Sequence, residues 1–177
     1  MSGWKAIAAD VVETRYASLV GYGILLTSHR QEAEDLVQDA LIKVFGRLRA
    51  IPNAAAADQY VRRAMLTIYL DGTRRDSLWR RISGAIASDE AVAGPERAVT
   101  AGTDVRAALA TLSPRERTCV VLRHFDDKTV AQIAEEVGLA EGSVKRYLSD
   151  AMAKLGAELA EPGETAAVVN HRAARRA

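Results

Sequence analysis

The chain of 177 residues has a single cysteine, Cys119, set inside an apolar helical run. A disulfide framework is excluded, and a reducing compartment is expected. Aromatic residues make up 5% of a chain that is 49% hydrophobic, which points to helices packed through Ala, Leu and Val rather than a β-sandwich. Strict apolar–polar alternation is scarce and no strand–helix–strand rhythm recurs, so the expected fold class is all-α. The three histidines, His29, His124 and His171, stand far apart in sequence. No nucleophile–base pair or ligand cluster is visible, so no catalytic residue, metal or cofactor is expected. No apolar run approaches the ~20 residues of a membrane span. The opening MSGWKAIAADVVE has acids where a signal peptide needs its apolar core. A cytoplasmic protein is expected.

Charge of one sign is also missing: 24 Lys/Arg face 23 Asp/Glu, a net of +1. The distribution says more. Residues 1–81 carry 12 basic and 9 acidic groups, residues 82–103 carry 1 and 3, and residues 104–155 carry 8 of each. Basicity is local, as in Arg74, Arg75, Arg80 and Arg81. Charge alone would hold nucleic acid weakly, so a partner is needed.

What the chain does have is most distinct in Thr129–Leu155, TVAQIAEEVGLAEGSVKRYLSDAMAKL. Val130, Ile133, Ala134 and Val137 recur on one helical face. Gly138 follows where a helix end favours positive φ, with Leu139 as its apolar contact. In the next helix Val144, Leu148, Ala151 and Leu155 share a stripe, while Gly142, Arg146, Ser149 and Ala153 lie opposite and Lys145 at the margin. Small, basic and hydroxyl residues on an outward face suit a helix entering a major groove. An ordinary helical hairpin with solvated charges is the competing reading.

Before this, residues 10–28 read as a helix with Val12, Tyr16, Leu19 and Val20 inward, and Gly21 and Gly23 as close-packing glycines. Gln31–Arg49 reads as a helix with Val37, Leu41, Val44 and Leu48 in the core. Opposite them lie Asp35, Asp39 and Ile42, with Gln38 to one side, either a protein-docking face or a solvated acidic one. Glu32, Glu34, Asp35 and Asp39 lack the histidine or facing ligands that a metal would need. After Pro52-Asn53 a third helix is expected over about 58–73, with Val61, Met65, Ile68 and Tyr69 inward. The run RRDSLWRR beyond it interleaves arginines with Trp79, fit for a phosphate backbone and a stacked base, or else for a solvated helix end with a core tryptophan. Residues 83–103 lose periodicity and read as a flexible linker. Asp104–Leu112 is a short helix, and Ser113-Pro114-Arg115-Glu116 opens another with a capping box. That helix carries Val120, Val121, Leu122 and Phe125 and ends at Asp126-Asp127. Residues 161–177 read as a disordered tail.

Taken together, Asp35-Leu36-Val37-Gln38-Asp39 in the first half, and Leu112–Arg117, Ile133-Ala134-Glu135 and Glu141–Lys145 in the second, resemble bacterial sigma factors of the extracytoplasmic-function type, within the sigma-70 family. The resemblance covers roughly residues 10–157. It implies two small helical domains joined by a flexible linker: a region 2-like domain over 1–82, a linker over 83–103, and a region 4-like helix-turn-helix domain over 104–160. It further implies binding to core RNA polymerase, through its clamp helices and flap, and to the minus 10 and minus 35 promoter elements, with an anti-sigma protein as a further candidate partner. Asp35, Gln38, Asp39 and Ile42 are the polymerase-binding candidates. Arg62, Arg63, Arg74, Arg75, Arg115, Lys128, Ser143, Lys145, Arg146, Ser149 and Lys154 are the DNA-binding candidates, with Arg146 and Ser149 toward bases and Lys145, Lys154, Arg115 and Lys128 toward phosphates. Response regulators of the LuxR type carry a similar Ser-Pro-Arg-Glu-Arg and hairpin, so a stand-alone LuxR-like regulator is the alternative; no receiver-like alternation of strands and helices appears in the first half. The chain departs from the family in having Leu66-Thr67 where an Arg-Asn pair is common, in Tyr147 and Asp150 where basic residues are common, and in Ala140 at an N-cap.

Overall fold

A computed structural model describes residues 3–47, 51–82 and 101–159. Its elements are helices: α1 (Gly3–Thr27), α2 (Arg30–Arg47), α3 (Ala54–Ile82), α4 (Ala101–Ala110), α5 (Pro114–His124), α6 (Val130–Val137) and α7 (Glu141–Leu159). Most of the expected linker, and the tail at 161–177, lie outside the described residues; α4 begins at Ala101, just inside the expected linker boundary.

Helices α1, α2 and α3 pack on one another, and α7 packs on α4, α5 and α6. The halves also meet, α1 against α4 and α5, and α3 against α5. Buried residues from α1–α3 and from α5–α7 belong to one continuous core, while Leu109, Leu112, Val120 and Ala151 form a smaller cluster beneath α4. Burial of such apolar side chains stabilises by about 1.5–3 kcal/mol each, so the seam between halves carries part of the folding energy.

In α1, Leu19 and Val20 are buried and Tyr16 is half buried, as expected, and one position differs. Val11 is fully buried, whereas Val12 is 48% exposed. Because α1 has neighbours on several sides, it is apolar around much of its circumference, and spacing alone does not single out one face. Gly23 is the close-packing glycine: a Cβ there would fall 2.9 Å from the Ala33 Cβ, whereas one at Gly21 would meet open space. Helix α3 continues through RRDSLWRR to Ile82, well beyond Thr73. One glycine, Gly72, weakens a helix without stopping it, and no proline intervenes. Trp79 is 70% exposed, so it is not a core tryptophan. Phe125 is the C-cap of α5 and is half exposed.

Local chemistry explains the helix starts. The Asn53 side-chain oxygen accepts from the Ala56 N–H at 2.9 Å at the start of α3. Ser113 and Glu116 close the reciprocal capping box of α5. Thr129 and Gln132 do the same for α6, a box the sequence reading missed because Gln replaces the more familiar Glu.

Side chains also tie the halves together. The Tyr22 hydroxyl donates to Asp126 Oδ2 at 2.9 Å, and Arg62, pairing with Asp58 at 2.9 Å, reaches Asp126 Oδ1 at 3.6 Å. Burial first, then the Asp126 charge and hydrogen bond, push the Tyr22 phenol far up from its ordinary value. Arg117 donates to Leu26 O at 2.6 Å and Ser28 Oγ at 3.0 Å, while Arg106 donates to Ser28 O at 3.1 Å. Ser28 has φ of +69°, a left-handed conformation costly for a residue with a Cβ. Two arginines from the second half hold it.

Candidate nucleic-acid interface

The hairpin of α6 and α7 is set by its turn. Gly138 takes φ of +65°, and the Leu139 N–H donates to Ala134 O at 2.9 Å, closing the end of α6. Leu139 is half buried against the core, as a glycine-terminated helix favours. In α7, Val144 and Ala151 are buried and Leu148 and Leu155 half buried. Gly142, Lys145, Arg146, Ser149 and Ala153 are exposed, and Ser143 is half buried beside them. Ala140 precedes α7 and offers only its carbonyl, which accepts from the Ser143 and Val144 N–H groups at 2.9 and 3.2 Å. The oxygen of a Ser or Thr cap is absent, at a cost of about 0.5–2 kcal/mol.

Tyr147 has a part that the sequence reading missed. Its hydroxyl accepts from Arg115 Nη1 at 3.3 Å, and the Arg146 guanidinium sits 5.3 Å from its ring centroid. The hydrogen bond from Arg115, opposed by partial burial and aided by Arg146, holds the phenol below its ordinary value. Tyr147 thus joins the start of α5 to the middle of α7 and sets two arginines side by side. Only the fold brings residues 32 apart into this contact.

Other cationic candidates are engaged inside the protein. Lys154 Nζ contacts both oxygens of the buried Glu116 carboxylate, at 3.0 and 2.8 Å. Lys128 pairs with Glu136. Arg62 is held by Asp58 and Asp126 and covers the Tyr22 ring at 4.7 Å. Arg63, Arg74 and Arg75 are exposed along α3.

The acidic candidates lie elsewhere, on α2. Asp35, Gln38 and Asp39 are exposed and Ile42 is 71% exposed, while Ala33, Leu36, Val37, Ala40, Val44 and Phe45 of the same helix are buried. Leu41 is half buried, and Leu48 lies outside the described residues.

Residues 103–155, which include this hairpin, match the family described as sigma-70, region 4. The RNA polymerase sigma-E factor of Streptomyces avermitilis is 30% identical over 154 residues, covering 85% of this chain and 83% of the relative. The ECF RNA polymerase sigma factor SigL of Mycobacterium tuberculosis is 30% identical over 177 residues, covering 93% and 98%. This chain is a member of the extracytoplasmic-function RNA polymerase sigma factors. The sigma-factor fold extends to solved structures: RpoE of Bartonella quintana, solved with the anti-sigma factor NepR, aligns with a TM-score of 0.61 at 21% identity, covering 88% of this chain and 97% of that one. A sigma factor, rather than a LuxR-like regulator, accounts for relatives that match across both halves. Among the described residues of this sigma factor, no helix is long and apolar enough to cross a membrane and no group of His, Cys, Asp and Glu could hold a metal ion.

Proposed function

We propose that this sigma factor uses two separate surfaces, the outer face of α2 for core RNA polymerase and the cationic face of α5 and α7 for the minus 35 promoter element. The observation that carries the docking surface is Ile42, an isoleucine 71% exposed beside Asp35, Gln38 and Asp39 on a helix whose other side fills the core. An apolar centre flanked by carboxylates complements a basic, partly apolar partner helix. On the DNA side, Arg146, Ser149 and Lys145 are the residues of α7 free to enter a groove, with Ser143 at its start and Arg115 reaching phosphate. Arg63, Arg74 and Arg75 serve the region 2-like half, residues 1–82, near minus 10; Arg62, Lys128 and Lys154 join them only if their internal pairs break. The linker over 83–103 sets the span to the region 4-like half, residues 104–160. An anti-sigma protein is a further candidate partner, as NepR is for RpoE of Bartonella quintana. The protein acts in the cytoplasm as an initiation subunit without catalysis of its own. Modest net charge fits this arrangement, because polymerase tethers both DNA surfaces and raises their effective concentration.

The test is Asp39→Arg. A reversed exposed charge should change stability by about 0.5 kcal/mol or less, whereas like charges across an interface cost several kcal/mol. Co-elution with core polymerase should be lost while circular dichroism and Tm stay near wild type. A folded variant that still directs polymerase to promoters would remove the docking assignment.

A further inference from the structure

The seam between the halves leaves a cleft of about 170 Å³, walled by α3 on one side and by α5 and α6 on the other. Its apolar surface includes Leu66, Leu70, Val137 and Leu139. Three guanidiniums line it, Arg63 and Arg74 from α3 and Arg115 from α5. Arg115 has the Tyr147 hydroxyl as a partner; among the described residues no hydrogen bond or ion pair holds the Arg63 or Arg74 side chain. Two carboxylates share the lining. Glu136 is neutralised by Lys128, which leaves Asp71 alone against three cations.

A cleft with an apolar surface and an excess of guanidinium complements a body with an apolar end and one anionic head. An apolar cavity of about 150 Å³ accommodates benzene, so the fitting body is one ring or a branched chain of similar bulk. A carboxylate head suits arginine, whose planar fork matches two oxygens. We propose that this cleft binds a small amphipathic carboxylate of about the size of benzoate, and that the bound carboxylate holds the two halves closed because its walls belong to both. The regulatory part rests on the DNA-contact reading above, since Arg63, Arg74 and Arg115 in the cleft are then unavailable to promoter phosphates. A ligand that binds only the closed form shifts the equilibrium by its own occupancy.

Cys119 provides the readout. It lines the same cleft, is 1% exposed and is the only cysteine in the chain. Burial pushes its thiol up to about 11, so in the closed form it is protonated and shielded. N-ethylmaleimide labelling of the full chain then reports opening of the cleft. Benzoate at about ten times its Kd should slow labelling about tenfold. Benzamide, the neutral isostere, and acetate, the same head without the ring, should leave it unchanged at matched ionic strength. Arg63→Gln, checked for folding by circular dichroism, should require several-fold more benzoate for equal protection. Protection by benzamide equal to that by benzoate, protection by acetate, or no protection by benzoate would each overturn the site. Benzoate should also reduce promoter-directed transcription by wild-type holoenzyme. If Cys119 is protected and transcription is untouched, the closing role is overturned. Transcription without benzoate tests the docking and DNA surfaces independently, so their failure is read separately.

Discussion

Lys154→Ala separates a structural lysine from a phosphate-binding one. The Glu116 carboxylate is 8% exposed and accepts from the Ser113 N–H at 2.8 Å and from Lys154 at 2.8 and 3.0 Å. Burial raises the Glu116 carboxyl, but the hydrogen bond from Lys154, with those from Ser113, outweighs it and holds the group below its ordinary value. Hydrogen bonds to charged groups contribute about 1.5–3 kcal/mol. The Lys154 side chain is 47% exposed, so water screens the pair and can rehydrate the carboxylate once the lysine is gone. The expected loss at neutral pH therefore falls below that range, at about 1 kcal/mol, or about 2–4 °C in Tm for a chain of this length.

The sign with pH follows from the direction of the shift. A carboxyl lowered in the folded state adds stability above its unfolded pKa of about 4.3, and that stability fades as pH falls through the folded value. Without Lys154, burial acts with less opposition and the folded pKa rises. The gap between wild type and variant should be full near neutrality and should shrink in acid, where both carry a protonated Glu116. Urea unfolding followed by circular dichroism at neutral and acid pH measures this. Glu116→Gln combined with Lys154→Ala should cost less than the two single losses added, since the pair is shared. If Lys154→Ala left stability unchanged at neutral pH and instead weakened all promoters with a flatter salt dependence, its amine would be on phosphate and the structural argument would fail.

Gly23→Ala should destabilise by about 1–3 kcal/mol, because its Cβ would overlap Ala33 backbone and side chain, whereas Gly21→Ala in open space should stabilise by up to about 1 kcal/mol; urea titrations of the two compare them directly. Asp126→Asn should weaken the Tyr22 and Arg62 contacts and speed maleimide labelling of Cys119 several-fold with little change in helical signal, and an unchanged rate would show that the seam does not depend on that carboxylate.

Sequence carried the second half further than the first. The Gly138 turn, the Ser113–Glu116 box and the stripe from Val144 to Leu155 are local patterns, each decided within a few residues. Helix α1 was less legible because its neighbours come from both halves. Apolar residues all round specify burial without specifying register, which is why Val12 stood in for Val11. The cationic site was mixed in the same way. The exposure of Arg146, Lys145 and Ser149 follows from helical phase alone, while the engagement of Lys154 and Lys128, and the reach of Arg62 beyond Asp58 to Asp126, depend on acids 38, 8 and 64 residues away. Periodicity says which side of a helix faces out. It does not say which acid waits there.

The proposed opening of the seam would break few of its polar partnerships outright. Arg117 is 8% exposed and bridges two helix ends, Leu26 and Ser28 at the end of α1, and Ala110 and Leu112 at the end of α4. A cation suits both ends, since each carries the negative pole of its helix. When the halves part, Arg117 loses the first pair and keeps the second. Arg62 loses Asp126 and keeps Asp58, within its own helix and at 2.9 Å. Asp126 sits in the loop after α5 and passes to water. Removing one partner of a buried ion pair costs about 3–5 kcal/mol when the other charge is left stranded. Here each cation retains a partner in its own half and the freed carboxylate is solvated, so that penalty does not arise. The cost of opening falls instead on apolar contact between α1, α3 and α5, a term that polymerase on the proposed α2 surface and DNA on the proposed α7 face would offset.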